Sequence, residues 1–180
     1  MIKKIKIEKG FTTFSFHERG FTFIEVILYV AIITIVMSAL IPFAWSVIEG
    51  GVQSSSQQEV FSQARFVSER IKYEIRNANG INSVSPTNIS LAVSPPANDP
   101  TIIDLAAGNI RIKLGAASAV NLNSTDTKIT TLTFTNYSSA DNKTKHIQFS
   151  FTIDDNYPSG RAEYDVPSYT LEGSAELRSN

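Results

Sequence analysis

The feature that most constrains this chain is a long apolar segment that begins beside a single carboxylate. Residues 26–48 contain no Asp, Glu, Lys or Arg, and Glu25 stands directly before them. A helix of this segment would be roughly 35 Å long, which is enough to cross the roughly 30 Å hydrocarbon core of a bilayer. On insertion scales a charged side chain costs about 2.5–3.5 kcal/mol at the centre of a membrane helix. Glu25 therefore needs a partner or a function.

Charge is distributed unevenly on the two sides of this segment. Residues 1–20 carry five basic and two acidic residues, whereas the rest of the chain carries 11 basic and 15 acidic ones, giving net charges of +3 and −4. Basic residues before a membrane helix favour retention of that end in the cytoplasm, which would leave the rest of the chain outside. The acidic remainder argues against a broad nucleic-acid surface. The lack of cysteine excludes disulfides and thiolate chemistry.

A second periodic pattern follows the apolar segment and predicts an amphipathic helix. Apolar residues recur three or four positions apart, which places them on one helix face: Val60, Ala64, Val67, Ile71, Ile75 and Ala78. Opposite charges four positions apart would support this helix: Arg65 with Glu69, and Arg70 with Glu74. We expect the helix to end near Asn79, with Gly80 as a left-handed cap.

After residue 80 the helical pattern gives way to the alternation that is typical of β-strands. The predicted strands lie at 88–93, 102–105, 110–114, 129–137, 146–153 and 169–177, with a hairpin turn at 106–109. One-sided alternation suits an antiparallel sheet with one face against the amphipathic helix. The predicted fold class is therefore α+β: a long N-terminal helix, half membrane-spanning and half amphipathic, packed on an antiparallel β-sheet head.

The residues around Glu25 resemble the type III signal peptide of prepilins, the precursors of type IV pilins and of the pseudopilins of type II secretion and DNA uptake. In that family a peptidase cuts after a glycine, the new first residue is usually Phe, and the fifth is Glu. Gly20, Phe21 and Glu25 occupy these positions, and Pro42 stands where the family often has a helix-kinking proline. The resemblance implies cleavage after Gly20 and N-methylation of Phe21. Glu25 would then meet the amino terminus of a neighbouring subunit or, alternatively, its own.

The resemblance also implies how the chain is organised and what it does. Residues 1–20 would be a cleaved leader, 21–49 a transmembrane and assembly helix, 50–79 an amphipathic helix and 80–180 a β-rich globular head with pilin-like architecture. The chain would be a structural subunit of a type IV pilus-like filament and not an enzyme. Its small head and uneven strands favour a minor pilin or a pseudopilin.

The expected location and partners follow from the same resemblance. The chain would cross the cytoplasmic membrane once, with its head outside, before it enters a cell-surface or periplasmic filament. Its partners would be prepilin peptidase, which is also the methyltransferase, other pilin or pseudopilin subunits, and the assembly platform of the inner membrane. No nucleic-acid partner is predicted, although a role in DNA uptake stays open.

Other interpretations stay open on the sequence. An alternative function is that of a membrane-anchored extracytoplasmic domain that binds a ligand and does not polymerise. Asp154, Asp155, Asn156 and Asp165 offer hard oxygen ligands for Ca²⁺, although a polar β-turn explains them equally well, and no other cofactor is expected. His146 is the only histidine after residue 20, and its predicted strand position on a polar face indicates a surface residue.

Overall fold

The computed structural model describes residues 20–141, 144–157, 164 and 166–178. Within them the chain forms one long helix, α1 (Phe23–Asn77), a 3₁₀ turn (Pro96–Asn98) and eight strands. The strands are β1 (Gly80–Ser85), β2 (Asn88–Ala92), β3 (Thr101–Ala106), β4 (Asn109–Leu114), β5 (Val120–Asn121), β6 (Thr127–Asn136), β7 (His146–Asp155) and β8 (Tyr169–Glu176). The predicted α+β class is confirmed. The chain divides into two compact units between Ala44 and Trp45.

The first unit contains most of the apolar part of α1. The helix begins after Thr22, whose Oγ1 accepts a hydrogen bond from the N–H of Glu25 at 3.3 Å, as an N-cap residue does. Further along, the hydroxyl of Thr34 donates to the carbonyl of Val30 at 2.7 Å, so this polar group is satisfied within the helix. The helix continues through Pro42, although a proline has no N–H to donate to the preceding turn.

In the second unit the rest of α1 packs on two antiparallel sheets, and these sheets form the head. One sheet contains β1 to β5 in chain order, and the other contains β6 to β8 in chain order. The six apolar residues predicted for the inner helix face are all buried, and they share one core with apolar side chains from both sheets. Burial of a large apolar side chain contributes about 1.5–3 kcal/mol, which explains why this face turns inward.

The central strand of the three-stranded sheet has the clearest alternation. Its residues Ile147, Phe149, Phe151 and Ile153 are fully buried, as the predicted common face requires. The ring of Phe149 stacks on that of Phe151 with the centroids 6.4 Å apart, and Phe149 lies opposite Gly173 in the register of β7 and β8. A Cβ on Gly173 would approach the Phe149 ring to 2.5 Å, so this glycine leaves the space that the ring fills.

Strand β6 connects the two sheets. The N–H of Phe134 donates to the carbonyl of Pro86 in the β1–β2 turn, and the N–H of Ile129 donates to the carbonyl of Gly108 in the β3–β4 turn, both at 2.8 Å. The hairpin turns of the five-stranded sheet therefore meet the edge of the three-stranded sheet and satisfy part of its exposed backbone.

The predicted hairpin at 106–109 is confirmed, whereas β1 was not predicted. In the hairpin, Ala107 and Gly108 have positive φ angles of 51° and 75°, as the two central residues of a type I′ turn require. In β1 the register shifts between Ile81 and Ser83, so the apolar residues Ile81 and Val84 are three positions apart. A bulge of this kind breaks the two-residue period that identifies a strand in a sequence.

Two local predictions around the end of α1 were wrong. Gly80 is the first residue of β1 and has no positive φ, so it is not a left-handed cap. The chain instead enters β1 directly, because the N–H of Asn79 donates to the carbonyl of Ala92 at 2.8 Å. Glu69 pairs with Lys72 at 2.9 Å and not with Arg65. The other predicted pair, Arg70 with Glu74, is confirmed at 2.7 Å.

Candidate processing and assembly site

The predicted cleavage position lies just before α1. Gly20 and Phe21 belong to neither a helix nor a strand, and the Phe21 residue is 81% exposed. A Cβ placed on Gly20 would meet no atom within 4 Å. Exposed, non-helical backbone near a terminus is where proteases act most readily. The backbone at Gly20 and Phe21 is thus exposed within the described part of the chain.

Glu25 lies in the first turn of α1, where the helix itself favours its charge. Its N–H donates to the carbonyl of Thr22 at 3.0 Å and to the hydroxyl of Thr22 at 3.3 Å. Residues 22–25 thus follow the Thr-x-x-Glu pattern of a capping box, and a carboxylate in a first turn interacts favourably with the positive end of the helix dipole. Thr22 was not predicted as a site residue, although Thr-x-x-Glu before an apolar run is a known signal in sequences.

The apolar segment that follows Glu25 is exposed along its length. Tyr29, Ile35 and Trp45 are 64%, 70% and 60% exposed. Among the described residues, α1 is the one helix long and apolar enough to cross a membrane, and its most apolar 18-residue window has a mean hydropathy of 2.6 with none of it buried. Contiguous exposed apolar surface of this extent indicates contact with a membrane or with other proteins.

The candidate calcium ligands form the hydrogen bonds of a polar turn. The Oδ1 atoms of Asp154 and Asp155 accept the N–H groups of Asp155 and Tyr157, each at 3.0 Å. The side-chain amide of Asn156 donates to a backbone carbonyl at 2.9 Å. Asp165 lies outside the described residues. The described residues hold no cluster of three or more His, Cys, Asp or Glu side chains suited to a metal ion.

His146 takes part in strand and turn contacts. It is the first residue of β7 and is partly exposed. Its carbonyl accepts the N–H of Tyr137 at 2.8 Å, and its N–H donates to the hydroxyl of Ser138 at 3.2 Å. Both contacts close the β6–β7 connection, which is a structural role.

Comparison with known families matches residues 15–41 to the prokaryotic N-terminal methylation motif. The match includes Gly20, Phe21 and Glu25 and ends one residue before Pro42. No curated protein and no solved structure shows significant similarity to the chain. The motif implies processing by prepilin peptidase, and together with the apolar helix it indicates membrane anchoring with the head outside the cytoplasm. The chain therefore carries the N-terminal methylation motif, or type III signal peptide, that is typical of the prepilin and pseudopilin family.

Proposed function

We propose that this chain is a subunit of a type IV pilus-like filament, in the class of minor pilins or pseudopilins. The observation that carries the proposal is that one helix, α1, joins the methylation motif and an exposed apolar segment to a β-sheet head. Prepilin peptidase cuts between Gly20 and Phe21, which removes the leader at 1–20, and methylates the amino group of Phe21. The mature chain then consists of the assembly helix at 21–49, the amphipathic helix at 50–79 and the head at 80–180.

Cleavage changes the electrostatics at the start of α1. In the precursor the nitrogen of Phe21 is a neutral amide, whereas after the cut it is an amine with a positive charge, which a single methylation retains. Glu25 is four residues away, which is about one helical turn, or about 6 Å along the helix axis. In a medium of low dielectric constant a pair of opposite charges attracts strongly, and either charge alone is heavily penalised. The cut thus supplies the cation that Glu25 lacks, and pairing with a neighbour's amino terminus sets the register of assembly.

The apolar segment of α1 supplies the remaining adhesion. Before assembly its exposed side chains contact lipid, and in the filament they contact the helices of neighbouring subunits. Between such helices, van der Waals packing and hydrogen bonds drive association, because lipid is as apolar as the side chains. Pro42 contributes by loosening or kinking the helix, since it leaves the carbonyl one turn earlier without its usual donor.

The test of the register role is the entry of Glu25→Val and Glu25→Gln into filaments, with Glu49→Val as the matched control. Glu49 ends the same apolar run on the same helix, so Glu49→Val makes the same chemical change far from the amino terminus. Both Glu25 variants should be cleaved normally but enter filaments about tenfold less than the parent, which corresponds to about 1.4 kcal/mol of lost pairing. Glu49→Val should match the parent.

Two outcomes would contradict parts of this proposal. A processed Glu25→Val chain that enters sheared filaments as well as the parent would remove the register role of Glu25. A processed parent chain that stays in the membrane and never enters filaments would indicate a membrane-anchored domain that binds a ligand without polymerising.

A further inference from the structure

Two tyrosines stack on each other where the chain passes from β7 to β8. Tyr157 follows the end of β7, and Tyr164 lies before the start of β8. The centroids of their rings are 4.2 Å apart and the ring planes are inclined by 25°. This separation is shorter than the roughly 4.5–7 Å that is usual for aromatic pairs. Among the aromatic pairs of the described residues, it is the one that joins two phenols.

The ring of Tyr157 stands on an anchored piece of backbone. The N–H of Tyr157 donates to Oδ1 of Asp155 at 3.0 Å. The residue before it, Asn156, is bound to the loop that precedes β6, because its N–H donates to the carbonyl of Asp126 at 2.9 Å. Tyr157 is therefore fixed to two elements of the three-stranded sheet.

The ring of Tyr164 is anchored from the other side, and both rings can be reached from solvent. The N–H of Val166 donates to the carbonyl of Tyr164 at 2.9 Å, and Val166 is buried. Tyr157 and Tyr164 are each partly exposed, so an oxidant at the protein surface can take electrons from them. Reacting groups that are held together in this way combine far faster than groups that must first meet in solution.

The charges around Tyr157 suit the loss of a proton on oxidation. Partial burial of the phenol, and then nearby negative groups with Asp126 first among them, raise the pKa of Tyr157. The phenol therefore keeps its proton at neutral pH and must release it when an electron is removed. Asp126 and the other carboxylates that contribute to the shift, Glu59 and Asp155, supply bases for that proton.

We propose that Tyr157 and Tyr164 form an oxidative cross-linking site, at which the two phenols couple to dityrosine. The oxidant is hydrogen peroxide, used by a haem peroxidase. One electron and one proton leave each phenol, and the two phenoxyl radicals form one carbon–carbon bond between ortho positions. Each of these ortho carbons then releases its proton and each phenol oxygen takes one up, which restores both rings. The peroxide accepts the two electrons and two protons and leaves as two molecules of water.

The cross-link gives this head a covalent closure that its composition otherwise lacks. Disulfides are the usual covalent links of proteins outside the cytoplasm, and this chain has no cysteine. Coupling joins residues 157 and 164 and closes the β7–β8 connection into a ring. Such a link restricts the unfolded chain, as a disulfide does, and holds the two sides together if the backbone between them is cut. The inference depends on an exposed head and not on polymerisation.

Peptide mapping of the oxidised chain tests the site. The full-length chain in detergent is treated with a haem peroxidase and hydrogen peroxide and then digested with trypsin. Arg161 lies between the two tyrosines in the sequence, so the uncoupled chain gives residues 146–161 and 162–178 as separate peptides. The coupled chain should give these peptides joined, lighter than their sum by two hydrogen atoms. A denaturing gel should show that the coupled chain is still a monomer.

The other tyrosines supply the matched controls. Tyr157→Phe and Tyr164→Phe should each abolish the joined peptide, whereas Tyr73→Phe and Tyr137→Phe should leave its yield unchanged. Tyr73 and Tyr137 are 59% and 60% exposed, so they react first if exposure alone decides. Coupling within the pair should exceed their coupling between chains by about tenfold or more, because the stacked rings are already in contact. Unfolding in urea before oxidation should lower the yield of the joined peptide several-fold.

Three outcomes would overturn the proposal. Dimers linked through Tyr73 or Tyr137 without the joined peptide would show that exposure alone decides which phenols react. A joined peptide that persists in Tyr164→Phe would assign the link to Tyr169, which lies in the same tryptic peptide. Equal yields from the folded and the unfolded chain would show that spacing in the sequence, and not the stack, brings the rings together. None of these outcomes bears on filament assembly, so the proposed function is tested separately.

Discussion

The contact between Gly173 and Phe149 leads to a sharp prediction about the stability of the head. The two residues face each other across β8 and β7, and a Cβ on Gly173 would lie 2.5 Å from Cζ of Phe149 and 2.9 and 3.0 Å from two further ring atoms. The ring has little room to retreat, because Phe149 is fully buried and stacked on Phe151. Gly173→Ala must therefore displace either the ring or the strand.

The expected cost follows from two opposing effects. Overpacking of a core costs about 1–3 kcal/mol, whereas replacing Gly with Ala stabilises a compatible site by about 0.4–1 kcal/mol through the unfolded chain. Three ring atoms would lie within 3.0 Å of the new Cβ, which places the overpacking cost in the upper part of its range, about 2–3 kcal/mol. After the gain of about 0.4–1 kcal/mol is subtracted, Gly173→Ala should lower the free energy of unfolding by about 1–2.5 kcal/mol. At about 2–4 °C per kcal/mol for a chain of this size, the Tm should fall by about 2–10 °C.

The assay is thermal unfolding of the full-length chain in detergent, followed by circular dichroism, with Gly80→Ala as the matched control. Gly80 also lies in a strand, but its added Cβ would meet Ala92 at 3.7 Å, an ordinary contact, so the control should keep or slightly raise the Tm. Phe149→Leu should cost less in the Gly173→Ala background than alone, because the smaller side chain relieves the contact. A Gly173→Ala chain as stable as Gly80→Ala would refute the reasoning.

Two further predictions concern buried polar groups of the head. Asn123→Ala should lower stability by about 1–3 kcal/mol in chemical denaturation, because the buried Asn123 side chain accepts the N–H of Ile110 at 3.0 Å and donates to the carbonyl of Thr127 at 2.9 Å; an unchanged midpoint would contradict this. Burial raises the pKa of Glu74 above 4.5, and Arg70 only partly opposes the shift. In the native state Glu74 therefore keeps its proton to a higher pH than in the unfolded state. The protein loses stability as the pH rises through the range in which Glu74 is deprotonated. Glu74→Gln should therefore gain stability relative to the parent as the pH rises through the range in which Glu74 loses its proton, whereas parallel pH curves would contradict the assignment.

The parts of the fold that could be predicted are those in which burial of one face dictates the spacing. The three- and four-residue steps from Val60 to Ala78 predicted the inner face of α1, and the alternation from Ile147 to Ile153 predicted the inner face of β7. In both elements a single periodicity extends over the whole buried segment, so sequence and burial carry the same information.

The parts that could not be predicted depend on contacts between distant residues. The bulge in β1 shifts the apolar positions out of alternation, and the division of the strands into two sheets depends on the hydrogen bonds of β6 to turns 20 to 50 residues earlier in the chain. The space that Gly173 leaves for Phe149 is likewise visible only when β7 and β8 are paired. No local pattern encodes these arrangements.

The candidate site shows the same division. Gly20, Phe21 and Glu25 lie within six consecutive residues, so their spacing alone carried the resemblance to prepilins. The contacts of His146, Asp154 and Asp155 had no such signal, because they depend on how the β6–β7 connection and the end of β7 fold. Only the structure shows that these residues form the hydrogen bonds of turns.

The mature N-terminus tests the central claim most directly. The chain is expressed from Met1 in a bacterium that contains prepilin peptidase, purified from membranes and sheared filaments, and digested for mass spectrometry. The account predicts that the first peptide begins at Phe21 and carries one methyl group on its amino nitrogen. A membrane-bound chain that still carries residues 1–20, or one cut elsewhere, would contradict it.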